Sequence, residues 1–286
     1  KHPFAVLDCC MGGGKSKMAI ENIRQFGRVG HKRTLILCPA AVMGVWRGEF
    51  EKHAPGEFNV LVLDGKQNSK AKAELVNKTV AMQSATKPLV IVCNYETMAY
   101  GVRSVKNGTR TTKFLGPMGQ CFADKRWSLV VCDEVHKLKG GRTNTSWSAW
   151  QIGFNAERRL GLTGTLMPHN PGDVFAQYRF LDDRIFGKYW TKFIDYYGVP
   201  DKHIPHKIAR WEHTDEMSER VDLIRYRIGK EVLSLPDRQI IDVPVTLSAA
   251  GMKAYTQMRK TSVAMIQQII DGADGDLEKV RRVVAA

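Results

Sequence analysis

Apolar residues in this chain gather in short runs separated by helix-length segments of mixed character. Phe4–Asp8, Thr34–Cys38, Asn59–Leu63, Leu89–Cys93, Ser128–Cys132 and Arg159–Leu162 read as buried strands, most of them rich in Val, Ile and Leu. Lys17–Phe26, Val42–His53, Ser69–Ser84 and Ser146–Phe154 read as the helices between them. This alternation implies right-handed crossovers and an α/β fold, a central parallel sheet with helices on both faces. After Gly172 the pattern turns helical and aromatic, and it predicts helices over Asp173–Leu181, Tyr189–Tyr197, Met217–Lys230 and Ser248–Ile270. Residues 101–120, punctuated by Gly101, Gly108, Gly116, Pro117 and Gly119, read as a mobile insertion. That insertion carries Arg103, Lys106, Arg110 and Lys113, which suits a solvated loop and leaves a nucleic-acid contact open. Gly198–His206 is a Pro/His-rich break, Gln239–Thr246 reads as a strand introduced by Leu235-Pro236, and the tail from Asp271 reads as loosely ordered. The expected division is a sheet-bearing lobe over residues 1–187 and a helical extension over residues 188–286.

Composition narrows the picture without deciding it. A chain of 286 residues with 43% hydrophobic and 25% charged positions can bury a sizeable core. No apolar run reaches the roughly 18 residues of a membrane span, and no secretory signal is read at the start. The chain enters its first strand directly after Lys1-His2-Pro3, as expected of a fragment. Six cysteines without a C-x-x-C pair argue against zinc and for a reducing, cytosolic compartment. The net charge of +14 points to a polyanionic partner, an inert basic surface being the blander reading.

The chemistry concentrates where the first strand run ends. Cys9-Cys10-Met11-Gly12-Gly13-Gly14-Lys15-Ser16-Lys17 leads straight into a helix. Glycines let the backbone N–H groups turn toward an anion, and the helix N-terminus adds a partial positive charge. In this reading Met11, Gly12, Gly13, Gly14, Lys15, Ser16 and Lys17 form the nucleotide loop, Lys15 reaches the β- and γ-phosphates of ATP, and the Ser16 hydroxyl holds Mg²⁺. Cys9 stands where the full G-x-x-x-x-G-K-[ST] pattern has glycine, so only its shorter core is met. A second segment, Leu129-Val-Val-Cys-Asp133-Glu134-Val135-His136, sets two carboxylates at the end of an apolar strand, which is costly without a cation. Asp133, on a strand end expected to neighbour the first, is assigned to Mg²⁺ through water, and Glu134 to the attacking water as base or orienter. A helix N-cap followed by acidic first-turn residues is the alternative.

These segments resemble the motifs of superfamily-two helicases, Asp133-Glu134-Val135-His136 their D-E-x-H box and Met11–Ser16 their first motif. In that motif a small residue replaces the leading glycine, which accounts for Cys9. More narrowly, the chain resembles the Snf-type DNA translocases. Leu35–Pro39 with Trp46 and Glu49 looks like motif Ia, and Val90–Glu96 like motif Ib. Leu160–Thr165 looks like motif III, with Asn170 and Phe180–Gly187 as its extension, and Val232–Pro236 with Tyr255 fits the link toward a second motor lobe. The resemblance implies a RecA-like P-loop NTPase lobe with catalytic Lys15, Asp133 and Glu134. It also implies coupling of nucleotide state to DNA through His136, Thr163 and Thr165. Pro39, Ala40, Ala41, Asn94, Tyr95, Gly164 and Lys139 would face a nucleic-acid backbone, while Trp46 reads as a core packer rather than a stacking platform. Leu166 in place of proline after Thr-Gly-Thr, and Cys9-Cys10 in place of an acidic pair, depart from the family pattern.

The expected function is therefore the first ATPase lobe of a duplex-DNA translocase, in the cytoplasm of a bacterial or phage-infected cell. The chain would be nearly inactive without the second RecA-like lobe that completes the site. A nucleic-acid-binding module with a nucleotide switch, and an RNA helicase of the same superfamily, are the alternatives.

Overall fold

The computed structural model describes residues 2–27, 33–83, 86–108, 110–202, 204, 207–233, 241 and 243–272. It divides into two compact units, Lys1–Ser234 and Leu235–Ala286. In chain order the first unit runs β1 (Phe4–Cys9), α1 (Lys15–Gly27), β2 (Arg33–Cys38), α2 (Met43–His53), β3 (Asn59–Val62), α3 (Ser69–Ala81), β4 (Leu89–Asn94) and α4 (Tyr95–Ala99). A hairpin of β5 (Arg103–Asn107) and β6 (Arg110–Phe114) follows, then α5 (Pro117–Ala123), β7 (Leu129–Asp133), α6 (Asn144–Gly153) and β8 (Arg159–Thr163). The unit closes with α7 (Asp173–Leu181), α8 (Asp183–Phe186), α9 (Trp190–Tyr197), the hairpin strands β9 (Gly198–Pro200) and β10 (Ile208–Trp211), α10 (Thr214–Asp222) and β11 (Arg225–Ile228).

Seven strands form one parallel sheet in the order β11-β1-β8-β7-β2-β4-β3. Side chains alternate across it. Leu35, Leu37, Ile91, Cys93, Val130 and Cys132 pack into a core under α3 to α7. Ile36, Cys38, Val90, Val92, Val131 and Leu162 pack on the other face with Ala19, Ile20 and Ile23 of α1 and Trp46 and Phe50 of α2. Continuous Val, Ile and Leu runs suit strands buried on both faces, and the six strands predicted in the alternating region are present.

Three expectations are corrected. The lobe does not end at residue 187, and its continuation is not all helix, because β11 is the edge strand of the same sheet and pairs with β1. Its backbone closes an edge that β1 would otherwise expose, with Val6 N–H donating to Ile224 at 2.9 Å and Cys10 N–H to Ile228 at 3.0 Å. The helix expected over Met217–Lys230 therefore stops at Asp222, and Arg225 turns inward to hold Asp8 at 2.6 Å. The insertion at 101–120 is not all loop: it forms the β5–β6 hairpin and the start of α5, with Gly108 at φ 59° in the turn.

In the second unit, α11 spans Ala249–Gly272, as the pattern predicts. No strand occupies residues 241 and 243–246, and Gln239, Ile240 and Asp242 of the expected strand lie outside the described residues. Leu235-Pro236, the tail beyond Gly272, and His203, Pro205 and His206 of the Pro/His-rich break also lie outside them.

Candidate active site

The predicted site residues gather along the carboxyl-terminal edge of the sheet, where ligands of such sheets bind. The loop after β1 turns through left-handed backbone at Gly12 (φ 80°) and Gly14 (φ 79°), where a side chain would be strained. Gly13 N–H donates to the Cys10 carbonyl at 3.1 Å and closes the turn. Lys15 lies back along the loop, its Nζ donating to the carbonyls of Cys9 (3.1 Å) and Cys10 (3.4 Å). Met11, Gly12, Gly14 and Lys17 are exposed, Gly13 and Ser16 half-buried. Apart from the Gly13 N–H, the loop leaves its backbone donors unspent on an exposed turn, a cradle that fits a phosphate chain.

The carboxylate end is built differently. Asp133 closes β7, and β8 stands between it and β1, so the two halves of the site are not on neighbouring strands as expected. The central position of β8 brings Thr163 and Gly164 to the gap. A side chain at Gly164 would lie 3.2 Å from the Cys9 carbonyl and 3.7 Å from Lys15 Nζ, so glycine there lets the β8 loop lie against the phosphate loop. Asp133 Oδ2 accepts from the Trp46 indole N–H at 3.0 Å, and Oδ1 accepts from Glu134 N–H at 3.0 Å. The Tyr95 hydroxyl donates to the Asp133 carbonyl at 2.8 Å. Burial, reinforced by the Glu134 charge, holds the Asp133 carboxyl above the usual carboxylate range, although Trp46, the Glu134 N–H and Lys15 oppose the shift. A half-buried carboxylate made reluctant to ionise fits a site that would take its counter-charge from a divalent cation.

Glu134 sits in left-handed backbone, φ 50°, an uncommon conformation for a residue with a side chain. Its Oε2 lies 3.2 Å from His136 Nδ1, and the same nitrogen lies 3.0 Å from Thr163 Oγ1. Thr163 Oγ1 in turn accepts from Thr165 N–H at 3.0 Å. Burial pushes the His136 imidazole down, and Lys137 and Lys139 add to the effect, which favours the neutral ring. A neutral ring offers Nδ1 either as donor to Glu134 or as acceptor from the Thr163 hydroxyl, one partner at a time. His136, Thr163 and Thr165, which the family resemblance groups as coupling residues, form one chain of contacts from the end of β7 to the end of β8.

Pro39, Ala40 and Ala41 follow β2 and Asn94 ends β4 on the same edge, with Ala40 and Ala41 exposed. The Asn94 side chain caps α4, accepting from Thr97 N–H at 2.6 Å. The Tyr95 side chain is 3% exposed and its hydroxyl is spent on the Asp133 carbonyl, so the side chain braces the strand end. Trp46 is a core packer, as predicted, and also a ligand of the Asp133 carboxylate, a role that no local signal discloses. Leu166, at the family's proline position, is buried and its carbonyl accepts from Gln177 at 2.7 Å.

A parallel sheet with a glycine loop on one strand and a paired carboxylate two strands away defines a RecA-like nucleotide-binding lobe. The chain belongs to the family of SNF2-related domains, whose model matches residues 10–282. It is 31% identical over 174 residues to Helicase SWR1 of Candida albicans, a match covering 60% of this chain and 9% of that protein. It is 25% identical over 242 residues to DNA repair protein RAD5A of Arabidopsis thaliana, covering 83% of this chain and 21% of the other. A probable global transactivator of Orgyia pseudotsugata multicapsid polyhedrosis virus is 24% identical over 271 residues, covering 94% of this chain and 47% of that one. The chain thus spans less than half the length of each of these relatives. The expected bacterial or phage source finds no support in them, since they come from a yeast, a plant and an insect virus. In fold the lobe is similar to a Sulfolobus solfataricus SWI2/SNF2 ATPase core solved with double-stranded DNA, with a TM-score of 0.58 and 17% identity over 98% of this chain and 53% of that one.

Proposed function

We propose that this lobe is the ATP-binding half of a motor that tracks along duplex DNA. Lys15 and the N–H groups of Gly12, Gly14, Lys15 and Ser16 hold the β- and γ-phosphates. Ser16 and Asp133 would hold Mg²⁺, which neutralises phosphate charge when bound. Glu134 orients the attacking water, and its carboxylate is itself positioned by His136. His136 shares one nitrogen between Glu134 and Thr163, so a change at the water-orienting carboxylate alters what Thr163 and the exposed Thr165 can bond. Pro39–Ala41, Asn94, Gly164 and Lys139 lie on the edge that would face the DNA backbone. Contacts of that kind position a protein without reading sequence.

The observation that carries this reading is the contact chain Glu134–His136–Thr163–Thr165, which links the hydrolytic carboxylate to an exposed strand end. In the intact protein Lys15→Ala should abolish DNA-stimulated ATP hydrolysis, and unchanged turnover would sink the assignment. Comparing duplex DNA with RNA as stimulator separates a DNA translocase from an RNA helicase. This lobe by itself should bind nucleotide weakly and turn over very slowly. An arginine finger is worth about 10³–10⁵ in rate in related phosphoryl-transfer sites, and none is assigned here.

A further inference from the structure

We infer that the β5–β6 hairpin is an additional clamp for the phosphate backbone of duplex nucleic acid, beside the strand-end contacts. The inference rests on the duplex-DNA reading above. Residues 97–123 contain no Asp or Glu and carry Arg103, Lys106, Arg110 and Lys113. Residues 135–156 also lack Asp and Glu and carry Lys137, Lys139 and Arg142.

The fold brings these two segments together. Lys113 Nζ, on β6, donates to the Arg142 carbonyl at 3.2 Å and to Asn144 Oδ1 at 3.3 Å, and sits 5.8 Å from the Trp147 ring. Asn144 opens α6, the helix reached from the carboxyl end of β7, and the hairpin itself is reached from the carboxyl end of β4 through α4. The hairpin therefore rises from the same sheet edge as the phosphate loop and Asp133. Among the described residues none of Arg103, Lys106, Lys113, Lys137, Lys139 and Arg142 makes an ion pair. Burial and the Arg179 charge push the Lys113 ammonium down.

Every residue of β5 is exposed, and Arg103 lies over the Phe114 ring at 5.5 Å rather than against an acid. A two-stranded hairpin with no core face of its own contributes little to folding. Lysines on such strands also discourage edge-to-edge association, but that role needs no second basic segment tied to the first. A polyanion with regularly spaced charges fits unneutralised cations distributed over both segments.

The test measures binding of a fluorescent 20-base-pair duplex to the chain across a salt series. The Arg103→Gln/Lys106→Gln double variant is compared with a Lys87→Gln/Arg126→Gln control. All four positions are exposed, and Lys87 and Arg126 precede β4 and β7 at the opposite sheet edge. Losing two phosphate contacts should reduce the slope of log affinity against log salt by about 1.8. The control, with the same net charge, should retain the parental slope. Equal slopes for the parent and the hairpin variant, or equal loss in the control, would overturn the clamp while leaving the duplex-DNA reading intact. If the parent chain binds no duplex even at low salt, that reading fails and the clamp with it. Hairpin-dependent binding of polyglutamate but not of duplex would assign the surface to an acidic protein and also overturn the clamp.

Discussion

The two halves of the candidate site are made by opposite means. The phosphate loop depends on backbone conformation: two left-handed, exposed glycines and a lysine resting on carbonyls. The Asp133 end depends on side chains fixed from three directions, with Trp46 from α2, Tyr95 from α4 and the His136–Thr163 contact from β8. On the proposed reading, a loop that receives a ligand is left open, whereas carboxylates that would hold a metal and orient a water are braced by the core.

Substitutions should separate the halves. The largest effect is expected at Trp46→Ala, which empties a buried site and removes a partner of Asp133. It should cost about 3–5 kcal/mol in urea unfolding, so a loss under 1 kcal/mol would mean the brace is not structural. Gly14→Ala meets no atom within 4 Å but must hold left-handed backbone. It should cost only about 1–2 kcal/mol of stability while nucleotide affinity, followed by fluorescent-analogue titration, collapses. Tyr95→Phe removes one buried hydrogen bond and should cost about 1 kcal/mol, with the nucleotide affinity little changed.

Asp133→Asn should act in the other direction. The folded-state carboxyl is held above its ordinary range, so its ionisation costs stability at neutral pH, and that cost disappears as pH falls below the ordinary range. Without Mg²⁺ the Asn variant should therefore melt slightly higher than the parent at pH 7, with the advantage shrinking as the solution is acidified. A variant that melts lower at pH 7 would show that the Trp46 and Glu134 hydrogen bonds outweigh the burial of charge.

The same contrast explains what could be read in advance. Glycine spacing and the adjacent carboxylates are local patterns, and buried strands announce themselves as Val, Ile and Leu runs. The Trp46 and Tyr95 contacts with Asp133 join residues 87 and 38 positions apart, and nothing near either aromatic residue marks its partner. Strand β11 was hidden because an edge strand carries little apolar signal: Arg225-Tyr226-Arg227-Ile228 looks like the end of a charged helix until Asp8 is placed beside Arg225. The β5–β6 hairpin was legible in principle. Asn107-Gly108 sits between segments rich in Val, Thr and Phe, a hairpin signal outweighed by the surrounding glycines. The interposition of β8 followed from no local feature, since strand order is a property of the whole chain.

That interposed strand also acts as a gauge block. Neighbouring strands in a sheet lie about 4.8 Å apart, so β1 and β7 are separated by two such steps, close to 10 Å. Hydrogen-bond ladders on both sides of β8 keep that opening from being trimmed by fractions of an ångström. The distance between the glycine cradle and its opposing carboxylates therefore comes in whole strand widths. Mutations can change what fills the gap, but the jaw itself has one setting.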